Sequence, residues 1–107
     1  MKTLKFRPEL ASLILLGEKT STWRLFDDKN LTLGDEIILI NKSTGEEFGK
    51  AVIIELREKK LGEIIDTDFY GHEKFESVEK MYEAYRKYYG DKVTPESIVK
   101  IIKFRLV

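Results

Sequence analysis

The chain contains no cysteine and no glutamine, a single histidine, two prolines and two asparagines in 107 residues. Without cysteine there is no disulfide and no thiolate metal site, and one histidine, His72, cannot supply a histidine-rich metal centre. Asp66 and Asp68 lack the further ligands that a calcium or magnesium site needs. The sequence therefore predicts no metal and no cofactor, and any chemistry must come from oxygen and amine groups. No stretch reaches the roughly 18 consecutive apolar residues of a membrane span. The segment Met1-Lys2-Thr3-Leu4-Lys5-Phe6-Arg7 lacks the apolar region of a signal peptide. The expectation is a soluble, cytoplasmic protein with no membrane association and no evident partner protein. Net charge is missing as well: 19 basic and 19 acidic residues cancel. That excludes a polycation wrapping duplex nucleic acid by counterion release, so any nucleic-acid binding has to be local.

What is present fits one compact domain over residues 1–107, with 42% hydrophobic and 36% charged residues. The high charged fraction resembles thermophile proteins with surface ion-pair networks. Thr3 to Phe6 alternates polar and apolar and reads as a short strand. Pro8 suits the first turn of a helix, and Leu10, Leu13, Ile14 and Leu16 recur at helical spacing up to Gly17, predicting a helix over about 8–16. The run Glu36 to Asn41 is almost continuously apolar and predicts a strand buried on both faces or at the closure of a barrel. Turn chemistry at Ser43-Thr44-Gly45-Glu46 leads into its partner strand, Phe48 to Arg57. After a connector holding Asp66, Asp68 and Gly71, an amphipathic helix carries Phe75, Val78, Met81, Tyr82, Tyr85 and Tyr89 on one stripe and stops at Gly90. Ile98 to Val107 closes the chain as a strand. About five strands, two helices and few βαβ spacings predict a mainly β, α+β fold: a small barrel whose ends are covered by helices.

The densest group of chemistry-bearing residues is Gly17-Glu18-Lys19-Thr20-Ser21-Thr22-Trp23-Arg24, at a helix-to-strand junction. Thr20, Thr22 and Trp23 favour an extended strand. Alternation places Thr20, Thr22 and Arg24 on one face and Lys19, Ser21 and Trp23 on the other. A lysine can activate a threonine hydroxyl if desolvation or a neighbouring cation lowers its pKa, and Arg24 is a candidate for that cation. Joint action of Lys19 and Thr22 requires Lys19 to lie in the loop before the strand, or a bulge to reset the alternation. Against this stand ordinary roles: Lys19 as a helix C-cap, Thr22 as a strand former, Trp23 as core, Ser21 as filler. Lone His72 reads as a solvated loop residue or a helix-entry contact.

Gly17-x-Lys19-x-x-Thr22-x-Arg24, followed by Leu33-Gly34-Asp35 before an apolar strand, Phe75-Glu76-Ser77-Val78 opening a helix that ends Tyr88-Tyr89-Gly90, and a closing strand, together resemble the ASCH domain family. The likeness covers nearly the whole chain. It implies a PUA-like β-barrel with a cleft commonly proposed to bind RNA. The usual family form has Glu where Thr22 stands. The Lys-x-x-Thr-x-Arg variant resembles small bacterial amidohydrolases acting on N4-acetylcytidine, which implies Lys19, Thr22 and Glu73 as the catalytic group. A one-residue shift would place Lys74 at the glutamate's position. Arg24, Trp23 and Ser21 are the candidate ligand contacts.

Two functions of different class stay open at this level. One is a module binding RNA or a modified nucleoside or nucleotide, with Lys19 and Arg24 on phosphate and an aromatic ring on a base. The other is an amidohydrolase that deacylates N4-acylated cytidine with Thr22 as nucleophile. A cavity of small-molecule size favours the enzyme, and an open cleft rimmed by Lys and Arg favours the binding module.

Overall fold

The computed structural model describes residues 2–107. Five strands form one sheet: β1 (Lys2–Phe6), β2 (Ser21–Leu25), β3 (Glu36–Asn41), β4 (Glu47–Lys60) and β5 (Ile98–Leu106), in the spatial order β1-β3-β4-β5-β2. The β1/β3 pair is parallel and the others are antiparallel. Two helices complete the fold, α1 (Pro8–Leu15) and α2 (Val78–Tyr89), with two short 3-10 turns between β4 and α2. This is the α+β half-barrel with two helices that the pattern of elements predicts.

The apolar side chains divide into two cores. Leu4, Phe6, Ile14, Ile37, Leu39 and Phe104 belong to the first, against α1. Trp23, Leu25, Met81, Tyr85, Val99 and Ile101 belong to the second, against α2. Strand β5 separates them, because alternation sends Val99 and Ile101 one way and Ile102 and Phe104 the other, and all four are buried. The doubly buried strand is therefore β5, not β3. In β3 only Ile37 and Leu39 are buried, while Ile38 and Ile40 are half-covered. Strand β3 lies between β1 and β4, inside the sheet and away from any closure.

Long β4 serves two neighbours by changing register. Ile53 pairs with Phe104 and Glu55 with Lys103, so Ile54 is an extra residue. That bulge shifts the alternation, and after Ala51 and Ile53 the next residue packed on the first core is Leu56. Helix α2 begins where the Ser77 side chain accepts a hydrogen bond from the Lys80 amide, and it ends at Gly90 with φ 91°. No helix among the described residues is long and apolar enough to cross a membrane.

The two edge strands, β1 and β2, are joined by no backbone ladder among the described residues. A side chain spans the gap instead. Arg24 Nη2 donates to the Lys5 carbonyl at 2.9 Å, and the guanidinium lies 4.8 Å from the Phe6 ring centre. The half-barrel is thus left with an open seam, and the candidate site lies along it.

Candidate functional site

Lys19 is placed by the end of α1. The Glu18 amide donates to the Leu13 carbonyl and the Gly17 amide to the Ile14 carbonyl, the paired bonds of a Schellman ending, with Gly17 at φ 80°. The Lys19 amide also donates to the Leu13 carbonyl. Lys19 therefore lies in the loop before β2, which starts at Ser21. That is the arrangement joint action with Thr22 requires.

A second loop docks on the same strand start. The Thr20 and Ser21 amides both donate to the Gly71 carbonyl, at 2.8 and 3.0 Å. Gly71 has φ 77°, and a Cβ there would sit 2.0 Å from Thr20 Oγ1. Both facts demand glycine. The tight apposition delivers the next two residues to the seam, and Lys19 Nζ donates to Glu73 Oε2 at 2.7 Å. Glu73, rather than Lys74, meets the lysine.

The charges here are unevenly covered. The Lys19 side chain is only 2% exposed, against 36% for Glu73. Burial pushes the Lys19 pKa down, Glu73 opposes that shift, and Arg24 adds the smallest of the contributions. Desolvation is thus the chief cause, ahead of the neighbouring cation. Glu73 lies below the usual carboxylate range, because His72 and Lys19 outweigh the upward push of its own burial.

His72 is not a solvated loop residue. Its side chain is 3% exposed, and its ring stacks on Trp23 with centroids 4.3 Å apart and planes 19° from parallel. Burial, helped by the Lys19 charge, pushes its pKa down to about 4, so the imidazole is neutral near pH 7. Nδ1 lies 2.7 Å from the Glu73 carbonyl. A carbonyl only accepts, so Nδ1 carries the proton and Nε2 is bare, 3.7 Å from Glu73 Oε1.

These groups line one cavity of about 370 Å3, in the range of small-ligand sites. Lys19, Thr22, Trp23, Arg24 and Glu73 all reach it, with His72 beside them. Phe75, Tyr85 and Tyr89 supply an aromatic wall, and Lys5, Arg7 and Lys42 lie at its β1 and β3 side. Trp23 is 3% exposed and stacks within the protein, on His72, while also packing on Phe69. Ser21 lines a different cavity, with Arg57, Asp68 and Lys103, and its buried Oγ has no hydrogen-bond partner. Lys5, Arg7 and Lys42 carry no local sequence signal, since parallel β1/β3 pairing brings them together. His72 had one faint signal, its place beside Gly71. Among the described residues no three His, Cys, Asp or Glu side chains gather as a metal site would require.

Comparison with known proteins identifies the architecture. No family model matches the sequence, and no curated protein does. Among solved structures, the chain superposes on the hypothetical protein PH0355 with TM-score 0.75 and 23% identity, covering 100% of both chains. It matches the ASCH domain from Lactobacillus crispatus with TM-score 0.69 and 17% identity, over 90% of this chain and 69% of that one. ASCH from Zymomonas mobilis gives 0.63 and 21%, over 96% and 65%. At these identities the likeness is one of fold, and the fold is that of an ASCH-type, PUA-like domain.

Proposed function

We propose that the seam cavity binds a cytidine-type nucleoside acylated on its exocyclic amine and hydrolyses that amide. The observation carrying this reading is the pairing of buried Lys19 with half-exposed Glu73 in a cavity of small-molecule size that Thr22 also lines. In the proposed reaction Glu73 stays ionised, and the Lys19 ammonium, its pKa lowered by burial, first gives up its proton to solvent, leaving a neutral amine. Lys19 then takes the Thr22 hydroxyl proton as Oγ1 attacks the acyl carbonyl. The C–N bond breaks as the departing amine takes that proton from the Lys19 ammonium, which Glu73 orients; water, giving a proton to Lys19 as it attacks, then releases the acyl group as the free acid, and Lys19 returns the proton to Thr22 Oγ1. Burial supports the first step, because desolvation disfavours the ammonium and brings the amine closer to neutrality. Arg24 holds the two edge strands across the site, a positioning role.

Incubation with N4-acetylcytidine, followed by chromatography, tests the reading on the unmodified protein and on Lys19→Ala and Thr22→Ala variants. Deacetylation by the unmodified protein and its loss in both variants is the expected result. Deacetylation persisting in both would sink the proposed catalytic group. A second reading, a non-catalytic RNA-binding module, is favoured by the cations Lys5, Arg7 and Lys42 at the cavity. Salt-sensitive RNA binding with no deacetylation would select it.

A further inference from the structure

The chain as a whole is neutral, but this cavity is not. Its lining holds five cationic side chains, Lys5, Arg7, Lys19, Arg24 and Lys42, against the single carboxylate of Glu73. Two further cavities show no such excess. One is lined by Arg57 and Lys103 with Glu55 and Asp68, and the other carries Asp66 as its only charged residue. The imbalance is therefore local and belongs to the seam.

The five cations divide by what already occupies them. Lys19 is held by Glu73, and Arg24 is spent on the Lys5 carbonyl and the Phe6 ring. Lys5, Arg7 and Lys42 are exposed. Arg7 touches Glu9 at 3.3 Å in a solvent-exposed pair, a weak interaction, and lies 5.3 Å from the Tyr88 ring centre. Lys5 and Lys42 make no ion pair among the described residues. The backbone fixes the grouping: the Lys42 amide donates to the Phe6 carbonyl at 2.8 Å, and Phe6 stands opposite Asn41 in the parallel ladder. Three flexible cations thus gather at one end of a cavity whose other end holds the Lys19–Glu73 pair and the aromatic wall. An uncharged nucleoside gives this end nothing to bind.

We infer that the ligand carries a phosphate, seated on Lys5, Arg7 and Lys42 while its base occupies the Lys19–Glu73 end. The inference rests on the nucleoside reading for the identity of the base, but its phosphate can be tested without turnover. That phosphate can belong to a free nucleotide or to an RNA backbone. The test is titration calorimetry at low and high salt with cytidine, cytidine 5′-monophosphate and a short oligoribonucleotide containing one cytidine. The unmodified protein and a Lys5→Gln/Lys42→Gln variant are compared, with thermal melting to verify that the variant is folded.

The monophosphate is expected to bind at least tenfold more tightly than cytidine in the unmodified protein. That ratio should fall toward one at high salt and in the variant. An oligonucleotide binding tighter still, with a steeper salt dependence, assigns the phosphate to RNA, whereas equal or weaker binding assigns it to the free nucleotide. Equal binding of cytidine and its monophosphate, or a ratio untouched by the double substitution in a folded variant, overturns the inference. Absence of deacetylation alone would defeat the proposed reaction and leave the phosphate ratio as an independent result.

Discussion

Two of the molecule's buried ionic groups, Asp68 and Lys19, differ in how completely they are answered. Asp68, with a side chain 2% exposed, accepts from Arg57 at 2.9 Å, from Lys59 at 2.7 Å and from the Ile65 amide at 2.9 Å. Burial pushes its pKa up, but these bonds outweigh that and hold it below the usual carboxylate range. Lys19, equally buried, has one carboxylate partner and a pKa pushed down. All three donors to Asp68 oppose its neutral form, whereas the desolvation of Lys19 favours its neutral form. A saturated charge fixes a loop to a strand, while an under-answered one beside a cavity is available to exchange a proton.

The comparison breaks most directly at Lys19. If the proposed reaction holds, Lys19→Met should reduce deacetylation by about 10³-fold, the loss expected of a general base. Its stability should stay within about 1 kcal/mol of the unmodified protein, since the half-exposed Glu73 can turn to water and the buried charge is gone. Urea titration and initial rates measure the two separately. A large loss of stability would make Lys19 a structural ion like Asp68.

Acidification probes the same cluster with nearly as large an effect. The folded His72 has a pKa near 4, against 6.5 for the free group, so between these values the unfolded chain binds the extra proton. Stability therefore rises with pH across that window and falls on acidification, by on the order of 3 kcal/mol in all. Glu73, also lowered, adds loss in the same direction below its ordinary value of 4.5. His72→Phe, which can keep the stacking on Trp23, should flatten most of the slope in denaturation experiments between pH 6.5 and 4.

Asp68→Asn should cost about 2 kcal/mol, because the remaining amide cannot answer Arg57, Lys59 and the Ile65 amide as a carboxylate does. Deacetylation measured at a temperature where the variant is folded should be little changed. A rate loss comparable to that of Lys19→Met would abolish the contrast between the two groups.

How far the sequence disclosed this arrangement follows from the range of each interaction. Short-range signals are enough for α1, where Pro8 and Gly17 bracket the helix, and for α2, where the apolar stripe and its stop at Gly90 mark it, although the helix starts only at Val78, after the Ser77 cap. The proximity of Lys19 and Thr22 was open, since strand alternation opposed it and only the placement of Lys19 outside β2 allows both to reach one cavity. The apolar run of β3 predicts burial on both faces or a place at the closure of a barrel, and the structure gives it neither. Burial on both faces belongs to β5, because position within the sheet decides burial and sequence alternation does not encode strand order. The solvated-loop reading of His72 fails for a related reason: its environment is built by Trp23 and Phe69, and only the docking of the Gly71 loop brings them together.

That docking can be loosened with a single methyl group. Gly71→Ala puts a Cβ 2.0 Å from Thr20 Oγ1 at φ 77°, so both the clash and the left-handed backbone work against the substitution. The loop can relieve the clash by moving outward, which limits the cost in stability to about 1–2 kcal/mol. The movement displaces Glu73 from Lys19 while leaving Asp68, on the preceding 3-10 turn, with its three donors. Deacetylation should drop by at least tenfold, mainly in kcat, and the Asp68 network should still be intact, read as a chemical-denaturation midpoint that responds to Asp68→Asn as strongly as before. If Gly71→Ala weakened both regions together, the loop and the network would be one cooperative unit, and the separation between a structural and a reactive buried charge would fail.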